Sequence, residues 1–473
     1  MNFGTVKTAF KPENLRQLCK DAPENAKKYC KQYFVKVDEP MGVLMWVPVE
    51  NRCVHYKSEE LKKTYLKAPE EKNQFNIQHW FFNTDTEYMK IAVEVNEPRT
   101  FSVDDQLYVN QFSGFLHPRD KIEFTERQKI GCQKMWDHYK YVLCSGNQEQ
   151  FDYYQKWVSH MVSGRKLNTG IYQKADEGVG KTIQTGFLIH HVLGERICLM
   201  SDKPDTIMGA FNGELSGKIF LSLEEMPCIS QGQWSTLTNA IKNYITGTSL
   251  LINEKHKTPF TVKNVLNTIL NSNNNALKIH GTTRRWMIPT ISEAKMGDVE
   301  YFNDLRSYCT RDVGHAFYLQ CLEIAEATKD WNEMVIPDTD FKHNATVENL
   351  HSVHKFIKET YIKHGNGINC KFADLFDEYC QYAIANKYKD ITNIEFRTQL
   401  IKADFEAKVN LKNRTKNVLY VICSHEQLLN TFRSKNWIHE LDEIVDERIE
   451  IVMGKVKIYI PKSFLDVDDE ICN

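Results

Sequence analysis

The segment Ile171–Thr182, IYQKADEGVGKT, constrains this chain more than any other. Gly170–Lys174 is an extended run. A loop follows and closes on Gly178-Val179-Gly180-Lys181-Thr182. Helix-forming Ile183–Leu193 comes next, with Gly194 placed to stop it. Strand, glycine-rich loop and helix are the context in which backbone N–H groups turn inward around an oxyanion. The partial positive charge of the helix N-terminus adds to that field. In such a loop Lys181 reaches the outer phosphates of a nucleotide and the Thr182 hydroxyl sits on Mg²⁺. The full spacing asks for a glycine five residues before Gly180, where this chain has Ala175. A short GKT string also occurs by chance in loops, so the downstream residues must decide.

They do so about 40 residues on. Gly217–Leu223, GKIFLSL, reads as a strand of apolar and small residues that ends in Glu224-Glu225-Met226-Pro227. Two acids at the end of a buried strand are costly without a partner. Beside a metal–nucleotide they have one. Glu224 suits the metal and its water shell, and Glu225 suits orienting or deprotonating an attacking water. Trp234, Leu237, Ile241 and Tyr244 then mark a helix closed by Thr246-Gly247. In Ser249–Lys263 the triplet Lys255-His256-Lys257 occupies a hairpin turn, as a solvated loop or a phosphate grip. Asn264–Leu270 is a β-branched strand that delivers Asn271-Ser272-Asn273-Asn274-Asn275, an Asn-rich turn or a polar sensor at a strand tip. His280–Pro289 places Arg284 and Arg285 at an edge, as salt-bridge residues or as cations reaching another subunit's site.

Length and composition bound the rest. A chain of 473 residues predicts two or three domains. Net charge is −2, so any nucleic-acid contact must come from a local basic patch. No apolar run reaches the length of a membrane span, and MNFGTVKTAFKPENL lacks the apolar core of a leader. The 13 cysteines are scattered with no C-x-x-C pair, which predicts reduced thiols and an intracellular setting.

Upstream, Glu13–Cys30 reads as helical, Tyr33–His55 as a β-hairpin, and Tyr88–Val95 and Gln106–Val109 as further strands. Glu149–Ser163 is an amphipathic helix capped by Gly164, a brace under the strand that feeds the loop. Downstream, Phe356–Tyr361, Phe372–Ala385 and Thr392–Lys402 read as helices. Basic Lys408–Lys416 follows, then the strand Val418–Cys423 and a β-hairpin over Val445–Ile460. Helix, helix, basic wing and strand fit a winged-helix DNA-binding domain or a helical lid. The predicted division is an α+β region over 1–125, a helical linker over 126–170, an α/β core over 171–340 and a C-terminal domain over 345–473.

Taken as a set, GVGKT, strand-EE, the Trp-containing helix, ITG with K-H-K, strand-NSN and RRW resemble a superfamily 3 helicase. The likeness is to the helicase half of viral and plasmid primase-helicases of the poxvirus type, and it covers roughly Glu149–Leu322. The resemblance implies an AAA+-like P-loop core with a parallel sheet, followed by a winged-helix-like domain. It implies ATP and Mg²⁺ at the interfaces of a homo-hexameric ring that translocates on single-stranded or forked DNA, in the host cytoplasm or nucleus. A primase or polymerase would act as a separate partner, and no membrane is involved. By position, Gly178, Val179, Gly180, Lys181 and Thr182 would hold the nucleotide, with Thr182 and Glu224 on the metal. Glu224 and Glu225 would be the acidic pair, and Asn273 the sensor, with Asn271 as a shift of register. Lys255, His256 and Lys257 would be the DNA grip, and Arg284 or Arg285 the finger. The competing expectations are a P-loop NTPase that does not unwind, such as a packaging motor or phosphotransferase, and a scaffold that has kept the fold without activity.

Overall fold

The structure is a computed structural model. It describes residues 3–69, 71–72, 74–203, 209–224, 231–255, 257–273, 285–337, 339, 350–403, 420–435, 437–438, 442–444, 448–453 and 456–461. Of the sequence-based candidates, Glu225, His256, Arg284 and the basic run 408–416 lie outside these residues. The chain divides into two compact units. The first comprises Met1–Lys278 and Arg284–Pro337, and the second Ile279–Thr283 and Asp338–Asn473.

The first unit opens with helices Pro12–Asp21 and Pro23–Tyr33, each started by a proline whose missing N–H costs nothing there. They precede a six-stranded mixed sheet made of β1 (Phe34–Asp38), β2 (Met41–Val47), β3 (Arg52–Tyr56), β4 (Tyr88–Ala92), β5 (Thr100–Val103) and β6 (Gln106–Asn110), in the order β3-β2-β1-β4-β6-β5. The expected hairpin is therefore a three-stranded meander. The second reversal is made by Pro48–Glu50 and by Asn51 at φ 48°, a left-handed turn without glycine.

Helix Glu126–Asp137 begins with a Thr125/Gln128 capping box. Helix Gln148–Ser163 starts at the Asn147 cap and stops at Gly164, φ 95°. Its buried face braces the next strand: Trp157 Nε1 donates to Thr169 O at 3.2 Å and Tyr153 OH to Thr169 Oγ1 at 3.0 Å.

That strand is β7 (Gly170–Lys174). It joins β8 (Cys198–Ser201), β9 (Phe220–Leu223), β12 (Asn267–Ser272) and β13 (Trp286–Met287) in the order β13-β7-β12-β9-β8, every pairing parallel. All of β9 and β12 is buried, as expected of parallel strands covered on both faces. Helix Gln231–Thr246 precedes a separate antiparallel hairpin, β10 (Ser249–Ile252) with β11 (Phe260–Lys263), whose turn carries Lys255 and Lys257. Lys263 pairs with Glu94 beyond β4 at 2.7 Å, tying this hairpin to the N-terminal sheet. Helices Val299–Ser307 and Arg311–Ala327 complete the unit.

The second unit runs through helix Ser352–Ile357, β14 (Ile368–Lys371), and helices Phe372–Ala385 and Asn393–Lys402. It continues with β15 (Tyr420–Cys423), helix His425–Ser434, and an antiparallel pair β16 (Arg448–Met453) and β17 (Val456–Pro461). β14 and β15 pair antiparallel. Phe356, Leu375, Tyr379, Phe396, Leu400, Leu428 and Phe432 form its core. No helix among the described residues is long and apolar enough to cross a membrane.

Candidate active site

The loop after β7 is shaped by two glycines at positive φ, Gly178 at 85° and Gly180 at 94°. Gly180 is doubly constrained. A Cβ there would fall 2.7 Å from both His138 Cε1 and Phe302 Cε1. Ala175 is not among the positive-φ residues, so the loop needs no glycine at that place. Its N–H donates to Ser272 O at 3.2 Å, which holds the loop beside β12. Val179 is buried and anchors the tip, and the helix starts at Lys181. The buried Lys181 ammonium turns back into the loop and donates to the carbonyls of Ala175 and Asp176, the latter at 2.9 Å. A cation is thus fixed at the mouth of a cavity of about 250 Å³ lined by the loop, Glu224, Asn271, Asn273, Phe302 and Arg306.

Glu224 follows β9 directly, and its carboxylate is held by four side chains. It accepts from Ser222 Oγ at 2.6 Å, Thr185 Oγ1 at 3.1 Å, Asn271 Nδ2 at 2.9 and 3.1 Å, and Thr182 Oγ1 at 3.4 Å. Strand register explains this convergence. Leu270 lies opposite Leu223, so Asn271 lies opposite Glu224 on the same face, and Gln173 lies opposite Asn271. Thr182 and Thr185, three apart on one helix face, come down onto that row. An ionised carboxylate only accepts, and each donor shortens its freedom to move.

His138 supports the loop from behind. Its Nε2 lies 3.2 Å from Gly180 O and its Nδ1 3.0 Å from Tyr301 OH. A carbonyl only accepts, so Nε2 carries the proton and Nδ1 takes the tyrosine's. Burial pushes this imidazole down to about 4, partly opposed by the bond to Gly180.

Of the residues expected from sequence, the structure brings Gly178, Val179, Gly180, Lys181, Thr182, Glu224 and Asn273 into one cavity. Asn273 bonds Glu177 Oε1 at 3.0 Å, whereas Asn271 holds Glu224. Arg285 is not brought there. It precedes β13, whose Trp286 pairs with Gly170, so it sits at the end of the sheet where β7 begins and the loop lies where β7 ends. Lys255 and Lys257 line a separate cleft, and Lys257 is ion-paired to Glu254. Sequence reasoning missed His138, Thr185, Ser222, Tyr301, Phe302 and Arg306. Thr185 and Ser222 were reachable from spacing, one turn beyond Thr182 and two residues before Glu224. The others come from helices distant in the chain and left no local sign.

Among the described residues no group of three His, Cys, Asp or Glu side chains could hold a metal ion. The Thr182 hydroxyl and Glu224 carboxylate form instead a hard-oxygen pair, the donor type that Mg²⁺ takes together with phosphate oxygens.

Residues 174–285 match the model described as a family of unknown function, DUF5906. No curated protein matches the chain. Solved structures of the NrS-1 C-terminal region are similar in fold. One apo structure superposes with a TM-score of 0.52 at 15% identity over 90% of this chain and 94% of that one. An A-form apo structure gives 0.57 at 13% identity over 88% and 100%. The chain therefore carries a DUF5906 segment inside an α/β fold similar to that of the NrS-1 C-terminal region.

Proposed function

We propose that this chain is an ATP-dependent DNA helicase of the superfamily 3 type, with an AAA+-like core. The observation that carries the reading is the Glu224 carboxylate, bonded to Thr182 and Thr185 directly beneath the Gly178–Lys181 loop in a single cavity. In this reading the loop's N–H groups and the Lys181 ammonium bind the β- and γ-phosphates. Thr182 and Glu224 would hold Mg²⁺, which would supply positive charge beside the phosphates. Asn271 orients Glu224 and fixes its carboxylate plane. Asn273 and Arg306 face the phosphates, Arg306 as a cation from the same subunit. Glu225 would take the water's proton, and Arg284 or Arg285 would complete the site of the next subunit in a homo-hexamer. The position of Arg285 away from its own loop supports a role in trans.

Hydrolysis would drive the Lys255-His256-Lys257 turns along one DNA strand at the site of viral or element replication, with a primase or polymerase supplied separately. Phosphate contacts make such a grip sequence-tolerant and salt-sensitive. In the second unit, the order helix, strand, helix, helix, strand supports a winged-helix-like DNA-binding domain. The test is unwinding of a forked duplex with ATP. Unwinding that survives Lys181→Ala ends the proposal. Hydrolysis indifferent to DNA, with no strand separation, favours a phosphotransferase or another non-unwinding NTPase.

A further inference from the structure

A second cleft in the first unit lies away from the nucleotide pocket. Its volume is about 940 Å³, and it opens where β3 of the N-terminal sheet, the end of β8 and the β10–β11 turn converge. Six cationic side chains line it, Arg52, Arg196, Lys203, Lys218, Lys255 and Lys257, against three carboxylates, Asp202, Glu214 and Glu254, with Arg52 ion-paired to Glu50 beside the cleft and Lys257 to Glu254 within it. The whole chain carries a net charge of −2, so this is a local excess of positive charge. An aromatic ring stands in the same cleft: Phe211 is 52% exposed.

The walls are fixed to one another. Asn212, next to Phe211, donates its N–H to Asn253 O at 3.0 Å, and Asn253 N–H returns to Asn212 Oδ1 at 2.7 Å. The Phe211 segment is thereby clamped to the root of the basic hairpin. Arg196 Nη2 reaches Val49 O at 3.1 Å, and Lys218 Nζ reaches Arg196 O at 2.8 Å, joining the β2–β3 turn to the core sheet. An exposed aromatic among cations, on a rigid floor continuous with the hairpin turn, is what a flexible polyanion with stacking bases requires.

We infer that this cleft is a single-stranded nucleic-acid site to which the N-terminal domain contributes. Arg52, Lys203 and Arg196 contact phosphates, and Phe211 stacks on a base. The inference rests on the helicase reading for the hairpin's role and adds to it the surface beyond the hairpin. It gives the N-terminal sheet a task, because β3 supplies one wall. An acidic peptide would satisfy the cations but would leave the exposed ring without a stacking partner.

The experiment measures fluorescence anisotropy of a labelled oligothymidylate on the full chain across a salt series, with thermal melts as the control for folding. Phe211→Ala should weaken binding roughly tenfold and leave the salt slope unchanged. Lys203→Gln should lower the slope of log K against log salt by about 0.7, the value for one phosphate on a single strand, and Arg52→Gln by less, because Arg52 is ion-paired to Glu50. If these three variants bind like the unaltered chain while Lys255→Ala binds weakly, the inference falls and the helicase reading stands. If the unaltered chain binds no oligothymidylate, with or without ATP, both fall. If polyglutamate displaces the oligonucleotide and Phe211→Ala has no effect, the cleft is an acidic-protein surface and the inference is overturned.

Discussion

The cavity at the glycine loop and the basic cleft divide the polar groups of one unit in different ways. In the pocket the functional side chains already hold one another. Glu224 accepts from four side chains, Lys181 donates to two loop carbonyls, and His138 bridges Gly180 and Tyr301. In the cleft Lys203, Lys255 and Phe211 are exposed, while Arg52, Arg196, Lys218 and Lys257 already have partners in the protein. Preorganised dipoles suit a reaction whose charge develops at a fixed point. Solvated cations suit a polymer that must slide, because each contact has to be made and released cheaply. Substitutions in the pocket should therefore change catalysis steeply, and substitutions in the cleft should change affinity by small equal steps.

The largest effect belongs to Lys181→Ala. It removes the one buried cation of the loop, and ATP hydrolysis should fall by roughly a thousandfold. Steady-state turnover measures it, and a loss below tenfold would break the contrast. Next comes the asparagine pair. Asn271→Ala frees the Glu224 carboxylate and should lower turnover by roughly 10- to 100-fold, the usual cost of losing an orienting partner of a metal ligand. Asn273→Ala, which loses a bond to Glu177, should cost several-fold less. The reverse order would return the sensor to Asn273 and remove Asn271 from the mechanism.

His138 gives a stability effect with a defined direction. Its ordinary value is 6.5 and burial lowers it to about 4 in the folded chain. The unfolded chain therefore binds the extra proton first as pH falls. The stabilisation is complete above about pH 6.5 and is lost between there and about 4, and it amounts to on the order of 3 kcal/mol at 1.36 kcal/mol per unit. His138→Gln keeps a donor for Gly180 O and cannot titrate. Its melting temperature should vary less between pH 6.5 and 4.5 than that of the unaltered chain. An unchanged profile would mean that this imidazole is not the group that senses acid.

How much of this was legible in the sequence follows from distance along the chain. The strand, loop and helix of 170–193 were readable because glycine placement and apolar runs are local signals. Glu224 was readable because an acid closing a buried strand is anomalous. Which asparagine would meet Glu224 was not. The string Asn271-Ser272-Asn273 fixes no parity until the last residue of β12 is known, and Ser272 proves to be that residue. The reversal at Asn51 was invisible because it uses a left-handed asparagine where glycine is the usual signal. His138, Phe302 and Arg306 come from helices on either side of the core. Only their packing against Gly180 or in the cavity marks them.

The smallest expected effect tests the cleft side of the contrast. Lys257 is ion-paired to Glu254, with side chains 25% and 28% exposed, while Lys255 on the same turn is exposed with no ion pair described. Part of the Lys257 charge is therefore spent inside the protein. Glu254→Gln should release it and tighten oligothymidylate binding about two- to fivefold at low salt, with the gain vanishing as screening grows. Melting should shift little, because ion pairs that keep contact with solvent contribute roughly 0–1 kcal/mol. Lys255→Ala should move affinity the other way by a similar step, and Lys257→Ala by more, since it leaves Glu254 unpaired among the phosphates. If Glu254→Gln weakens binding instead, the pair is holding the turn in its gripping shape, and the cleft is as preorganised as the pocket.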